Sequence, residues 1–251
     1  MATEWSNTMK ITFLGTSHGV CERNRFCSSA AITIKGVTYV IDAGAPIATL
    51  LQSKGIKLET VKALFITHNH GDHICGLPEF VLQLNCHHRL FFPGAHVDIY
   101  VPEIWEHPKL IWGGAHTSVT DLKEYSEGVI YQDELIKITA FRTKHTQASF
   151  GFLIEAEGKR VVFSGDLAGD LSDYPAVLTE TDNDVAIVEA AHPRLNKPEN
   201  IAIIEKTRTR HYLINHYSSA RNPQSYIDEF IAAIGDKFDI TLLEDGDTFL
   251  I

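Results

Sequence analysis

Near its start the chain alternates apolar and polar residues. Lys10-Ile-Thr-Phe-Leu-Gly15 has the period of two that marks a half-buried strand. Residues 30–35 and 37–41 flank Gly36 and read as two strands joined by a turn. Residues 45–54 have helical composition and stop at Gly55, a residue suited to the left-handed position beyond a helix end. Residues 61–67 form a short apolar run, predicted as a buried strand ending in His68, and residues 77–84 carry apolar side chains at helical spacing behind Gly76.

The second half has the same character. Strand-like runs lie at 96–101, 135–141, 150–154, 160–163, 185–189 and 211–215, and helices are predicted over 200–207 and 223–234. Strands outnumber helices and each half mixes both, so the pattern predicts two sheets packed face to face with helices outside, an α/β (α+β) layered domain. No linker, repeat or low-complexity run divides the sequence, so a single domain over residues 1–251 is expected.

Composition narrows the classes. With 251 residues, 44% of them hydrophobic and 22% charged, the chain can bury a substantial core and shows none of the biases of collagen, disordered or coiled-coil sequences. No apolar run approaches the roughly 18 residues of a membrane span. The first residues have neither the basic nor the apolar region of a secretory signal, so a cytoplasmic protein with no membrane partner is expected. A net charge of −10 weighs against a long nucleic-acid partner, which needs a basic face to release counterions. Cys21, Cys27, Cys75 and Cys86 show no CxxC spacing and read as free thiols.

The 13 histidines are the compositional oddity, and their densest group is His68-Asn-His70-Gly-Asp72-His73. Imidazole and carboxylate together suit zinc, manganese or iron, and the metal-binding thiolate is absent. So short a segment cannot aim four ligands at the corners of one tetrahedron. Two adjacent metals can share them, His68 and His70 on one, Asp72 and His73 on the other.

The run Thr67-His68-Asn69-His70-Gly71-Asp72-His73 followed by Gly76-Leu77 resembles the HxHxDH signature of the metallo-β-lactamase superfamily. Four further segments resemble its tRNase Z-like branch, in the same order. They are Phe13-Leu-Gly15-Thr16-Ser17-His18-Gly19, His145-Thr-Gln-Ala-Ser149-Phe150-Gly151-Phe152, Ser164-Gly165-Asp166, and Leu213-Ile-Asn-His216-Tyr217-Ser218-Ser219-Ala-Arg221. The resemblance implies a four-layer αββα sandwich and two divalent metal ions of one kind, zinc or, as the alternative, manganese. It places His68, His70 and His145 on the first ion, Asp72, His73 and His216 on the second, with Asp166 bridging. Two cations about 3.5–4 Å apart would clamp a phosphodiester and activate a water, which Asp72 would orient or deprotonate. Ser17, His18, Ser218 and Arg221, in loops adjoining these motifs, are candidates for contacting phosphate oxygens.

Three departures shape the substrate expectation. The flexible arm that tRNase Z enzymes carry between the third histidine and the bridging aspartate has no room here. Two strand-like runs and the turn Glu155-Ala-Glu-Gly158 fill the interval between His145 and Asp166. The aspartate motif reads Gly165-Asp166-Leu167 in place of Gly-Asp-Thr. The His-Glu-Ala-Thr motif appears as Val188-Glu189-Ala190-Ala191, without its histidine; His192 follows, either as a replacement proton donor or as a loop residue. Arm-less phosphodiesterases of the branch, the phage anti-Pycsar enzymes above all, open 3′,5′-cyclic mononucleotides, and the chain is most similar to that group. The resemblance therefore implies a small nucleotide substrate and a homodimer. A tRNA 3′-processing endonuclease is the main alternative; a β-lactamase or thioester hydrolase, a non-cleaving nucleotide binder and purely structural metals are the others.

Residues 87–131 are rich in aromatics and histidine, among them Phe91, Phe92, His96, Trp105, His107, Trp112 and His116. A lid over the substrate is one reading. The seven-residue spacing of Trp105 and Trp112 suits one helix face and favours packing in the core or at a dimer interface.

Overall fold

The computed structural model describes residues 8–94, 96–103 and 119–251. Trp105, His107, Trp112 and His116, on which the lid reading rests, lie outside the described residues. By its internal contacts the chain divides into two compact units, Met1–Ser126 with Glu244–Ile251, and Glu127–Leu243.

The first unit is built on β1 (Lys10–Gly15), β2 (Ser29–Ile34), β3 (Val37–Ile41), β4 (Val61–Phe65), β5 (Val97–Pro102), β6 (Thr120–Tyr125) and the closing strand β14 (Thr248–Leu250), in the order β14-β1-β2-β3-β4-β5-β6. Strands β14 to β3 pair antiparallel and β3 to β6 parallel. Lys35 and Gly36 both take left-handed backbone angles (φ 49° and 82°), as a tight turn between right-twisting strands requires. Helices α1 (Ile47–Ser53) and α3 (Leu77–Leu90) bury Ile47, Ala48, Leu51, Leu77, Phe80, Val81 and Leu84 in one core with Leu14, Val40, Leu64 and Ile99 of the sheet. Each of these side chains except the small Ala48 contributes about 1.5–3 kcal/mol by leaving water. Between them lies the short helix α2 (Gly71–Ile74).

The second unit holds β7 (Gly128–Gln132), β8 (Lys137–Arg142), β9 (Phe150–Ala156), β10 (Lys159–Phe163), β11 (Asn183–Glu189), β12 (Thr209–Asn215) and β13 (Asp239–Leu242), in the order β13-β12-β11-β10-β9-β8-β7. Here β7 to β10 form an antiparallel meander and β10 to β13 run parallel. Helices α4 (Ala176–Glu180), α5 (Pro198–Ile204) and α6 (Gln224–Ile234) contribute Leu178, Ile204, Phe230 and Ile234 to a core with Ala186, Val188 and Tyr212 of the sheet. The interval from β9 to β10 is a hairpin in which Ala156 faces Lys159 and the turn is Glu157-Gly158, both left-handed (φ 50° and 73°). No further insertion interrupts it.

Each unit is thus one mixed sheet with helices, as the sequence pattern implies, and the anticipated strands and helices appear within a few residues of their expected bounds. α3 runs past residue 84 to Leu90. β6, β7, β13, β14 and α4 carry weak signals. β6 is an edge strand in which charged side chains interrupt any alternation, β7 is a five-residue edge strand with no buried position, and β14 is three residues long. Among the described residues no helix is long and apolar enough to cross a membrane.

Candidate metal centre

In both units the candidate ligands collect beyond the carboxyl ends of parallel strands, where loops can gather polar groups without breaking a ladder. In the first unit these are the loops after β3 and β4. The peptide after β4 places His68 and Thr67 in the interior, exposes His70, and starts α2 at Gly71. Asp72 and His73 therefore stand on a helical turn. The His68 ring lies 4.6 Å from that of His70 and 4.1 Å from that of His73, centroid to centroid.

What aims these rings is Asp42, immediately after β3. His73 Nδ1 donates to Asp42 Oδ2 at 2.7 Å, and the Thr67 amide and hydroxyl both donate to the same carboxylate at 2.8–3.0 Å. Because the single Thr67 hydroxyl hydrogen goes to Asp42, its oxygen accepts from Nδ1 of His68 at 3.1 Å. Both rings thereby carry their proton on Nδ1 and present Nε2 as the ligand atom, the arrangement that raises imidazole basicity toward a metal. Asp42 itself is buried in left-handed backbone (φ 60°), a conformation that costs a non-glycine residue on the order of 1–3 kcal/mol and persists where surrounding contacts hold it. Gly44 lets this loop approach the α2 turn, since a Cβ there would stand 1.7 Å from the Asp72 carbonyl oxygen. Asp72 Oδ2 accepts the Gly19 amide at 2.8 Å and lies 3.8 Å from His18 Nδ1. Ser17, expected at the phosphate, is buried and its hydroxyl donates to the Val20 carbonyl, so it shapes its own loop and is not placed to bind substrate.

In the second unit the ligand candidates follow β10 and β12 and the loop before β9. Asp166 Oδ2 lies 3.6 Å from His145 Nε2 and 3.3 Å from His216 Nε2, and 3.6 Å from His192 Nδ1. These separations are too long for good hydrogen bonds. Donor atoms each about 2.1 Å from a tetrahedral ion stand about 3.4 Å apart, so Asp166 with His145 and His216 has the spacing of metal ligands. The residues present fit divalent metal ions of the zinc or manganese type.

Local chemistry again sets the geometry. Gly165 has φ 62°, and a Cβ on it would come within 2.2 Å of the Phe150 carbonyl oxygen, so only glycine carries the chain through this turn. Asp173 accepts the amides of Lys144 (2.6 Å) and Ala168 (3.0 Å), tying the His145 loop to the Asp166 loop. His216 is buried at φ 50°, and its turn is fixed by the Tyr217 hydroxyl on the Leu243 carbonyl and by Asn222, which accepts the Ser218 amide and donates to Ala190. Ser218 is buried; Arg221 is exposed, its guanidinium 3.5 Å from the Ala191 carbonyl.

His192 is no detached loop residue. Its ring centroid lies 4.3 Å from that of His145 and 6.1 Å from that of His216, and its Nδ1 and backbone amide both bond Glu189 at 3.0 Å. Glu189 is buried and also accepts the amides of Leu167 and Ala191. Burial opposes protonation of His192, but the Glu189 hydrogen bond and the charges of Glu189 and Asp166 outweigh it, and the pKa stands above the ordinary histidine value. Sequence reasoning missed the positioning roles of Asp42, Thr67, Asp173 and Glu189. For Asp42, a lone acid just past a strand is the available signal, and ordinary turns share it.

A family model described as anti-Pycsar protein Apyc1 matches residues 9–235. Among curated proteins, ribonuclease Z of Exiguobacterium sp. is 32% identical over 168 residues, covering 65% of this chain and 54% of that protein. Ribonuclease Z of Listeria monocytogenes serotype 4b is 32% identical over 160 residues, covering 61% and 51%. The chain spans about half the length of these relatives. Of solved structures, the metallo-β-lactamase fold protein YhfI from Bacillus subtilis superposes with a TM-score of 0.84 at 16% identity, over 98% of this chain and 100% of that one. Human tRNase Z, short form, gives 0.71 at 21% identity over 96% and 98%. A diphosphatase of the PhnP family gives 0.69 at 18% over 96% and 97%. These likenesses show the metallo-β-lactamase fold.

Proposed function

The chain belongs to the family of the anti-Pycsar protein Apyc1, and from that premise we propose that it is a metal-dependent phosphodiesterase opening 3′,5′-cyclic mononucleotides. The proposed metal ligands are His68, His70, Asp72 and His73 in the first unit and His145, Asp166 and His216 in the second. The observation that carries the reading is Asp166 Oδ2 at 3.3–3.6 Å from His216 and His145, ligand spacing without hydrogen-bond geometry. Bound divalent ions supply Lewis acidity toward the phosphate and activation of water. The protein's own groups do the rest. Asp42 and Thr67 hold the imidazoles of His73 and His68 in the ligating tautomer. Gly19 fixes the Asp72 carboxylate, which orients the attacking water. His192, held through Nδ1 by Glu189, delivers a proton from Nε2 to the departing 3′ oxygen. The Arg221 guanidinium, exposed beside this group, is suited to a phosphate oxygen.

The β9–β10 hairpin supports a small substrate, because its two-residue turn fills the interval in which an RNA-gripping arm would have to emerge. A net charge of −10 acts in the same direction, because an extended polyanion gains little from an acidic protein. The ribonuclease Z relatives favour the second reading, tRNA 3′ processing. A panel of cyclic AMP, GMP, CMP and UMP, a cyclic dinucleotide and a precursor tRNA, each with Zn²⁺ or Mn²⁺ and with chelator, separates the two. Metal-dependent opening of the mononucleotides with intact tRNA supports the proposal; cleavage of tRNA alone replaces it.

A further inference from the structure

The mechanism leaves unused a pair of thiols on the loop between β1 and β2. Cys21 is exposed, Cys27 is buried, and their sulfurs are 3.6 Å apart. The contact is built into the loop. Glu22 and Arg25 bond each other's backbone in a tight turn, the Ser17 amide donates to the Phe26 carbonyl, and the Phe26 amide donates to Asp245 Oδ2. Cys27 is held rigidly, because its carbonyl packs where a Cβ on Gly15 would be. Cys21 lies on the outer limb, next to Val20, which is 67% exposed. A disulfide needs the sulfurs at about 2.05 Å, so an outer limb open to solvent has to move by roughly 1.5 Å.

We propose that Cys21 and Cys27 form a reversible thiol modification site that a low-molecular-weight disulfide such as oxidised glutathione converts to an intramolecular disulfide. The Cys21 thiolate attacks one sulfur of the reagent, forming a mixed disulfide and releasing one thiol. Cys27 loses its proton to solvent, attacks Cys21 Sγ and expels the second thiol, so two protein thiols are oxidised and one disulfide is reduced to two thiols. The exposed member meets the reagent; burial and the neighbouring Cys21 sulfur hold the Cys27 thiol protonated, so it resolves the adduct slowly, as movement of the outer limb lets solvent take its proton. The same loop carries Gly19, whose amide holds Asp72 at 2.8 Å. Drawing Cys21 inward displaces that anchor and weakens metal binding. This link to Asp72 rests on the metal reading of the site; the thiol chemistry does not.

The test incubates the whole protein with oxidised glutathione, alkylates remaining thiols and digests with trypsin, which cuts after Arg23 and Arg25. Peptides 11–23 and 26–35 then stay joined only through Cys21–Cys27. The expected result is that linked pair, abolished by dithiothreitol, and a stable glutathione adduct on Cys21 in the Cys27→Ser variant. Recovery of both peptides separately with alkylated cysteines, or of Cys21 joined to Cys75, overturns the site. In the second arm, zinc-loaded oxidised and reduced protein are compared for metal affinity against a chelator. The oxidised form is expected to bind about tenfold more weakly; equal affinity overturns the link to Asp72 and leaves the disulfide standing.

Discussion

His73 Nδ1 donates to Asp42 Oδ2 across 2.7 Å, and the acceptor sits in left-handed backbone that it would abandon without such contacts. The pair joins the end of β3 to the first turn of α2. Asp42→Asn keeps the size and tolerates the backbone, but its amide cannot accept from both Thr67 and His73. The expected outcome is a 10- to 100-fold loss of metal affinity with an unchanged far-ultraviolet circular dichroism spectrum. Native metal affinity in this variant would show that the pair does not orient the ligand.

Asp166→Asn removes the carboxylate shared by His145 and His216. Loss of several kcal/mol of charge stabilisation corresponds to a fall in kcat of about 10³-fold, with less than two equivalents of metal retained by the purified protein. Full occupancy together with full turnover would exclude Asp166 from the ligand set.

His192→Ala separates proton delivery from metal binding. On a cyclic nucleotide, kcat is expected to fall about 10²-fold or more at unchanged metal content. On bis(p-nitrophenyl) phosphate, whose leaving group departs without a proton, the loss should nearly vanish. Glu189→Gln should show the same contrast in weaker form. Equal losses on both substrates would assign His192 to the structure of the site.

Gly165→Ala introduces both a disfavoured φ and a contact at 2.2 Å with the Phe150 carbonyl oxygen. Destabilisation of about 2 kcal/mol or more is expected, which lowers Tm by at least about 4 °C in a protein of this size. A melting curve superimposable on the wild type would mean that the turn relaxes freely.

Burial pushes the Tyr174 hydroxyl, which bonds Thr207 at 2.7 Å, up to about 12. Unfolded tyrosine titrates near 10, so the folded state holds its proton more tightly. The corresponding stability is fully present below pH 10 and is lost as the pH rises through 12, roughly 3 kcal/mol in all. Denaturant midpoints measured from pH 8 to 11.5 should fall above pH 10, and less steeply in Tyr174→Phe. A flat profile in the wild type would show that the hydroxyl titrates normally.

Much of this was legible in the residues. His68 to His73 concentrates four ligand-type side chains in one short segment, and the β9–β10 turn is visible as Glu157-Gly158 between two apolar runs. Asp42 and Asp173 were not legible, because each acts on a partner about 30 residues away through a contact that only the folded sheet creates. His192 was visible but ambiguous; its place is decided by Glu189, whose buried carboxylate gathers three backbone amides as well as the ring. β6 was missed because, on a sheet edge, it exposes Asp121, Lys123 and Glu124 and needs no apolar alternation.

The most direct test is kcat/KM for one cyclic mononucleotide and one precursor tRNA, measured on a single metal-loaded preparation at physiological salt. Efficient, chelator-sensitive opening of the cyclic nucleotide is expected, with a value for tRNA at least about 10³-fold lower, since the β9–β10 hairpin extends no arm and a net charge of −10 gives a long polyanion little to gain. A tRNA value equal to or above that for the cyclic nucleotide would contradict this expectation.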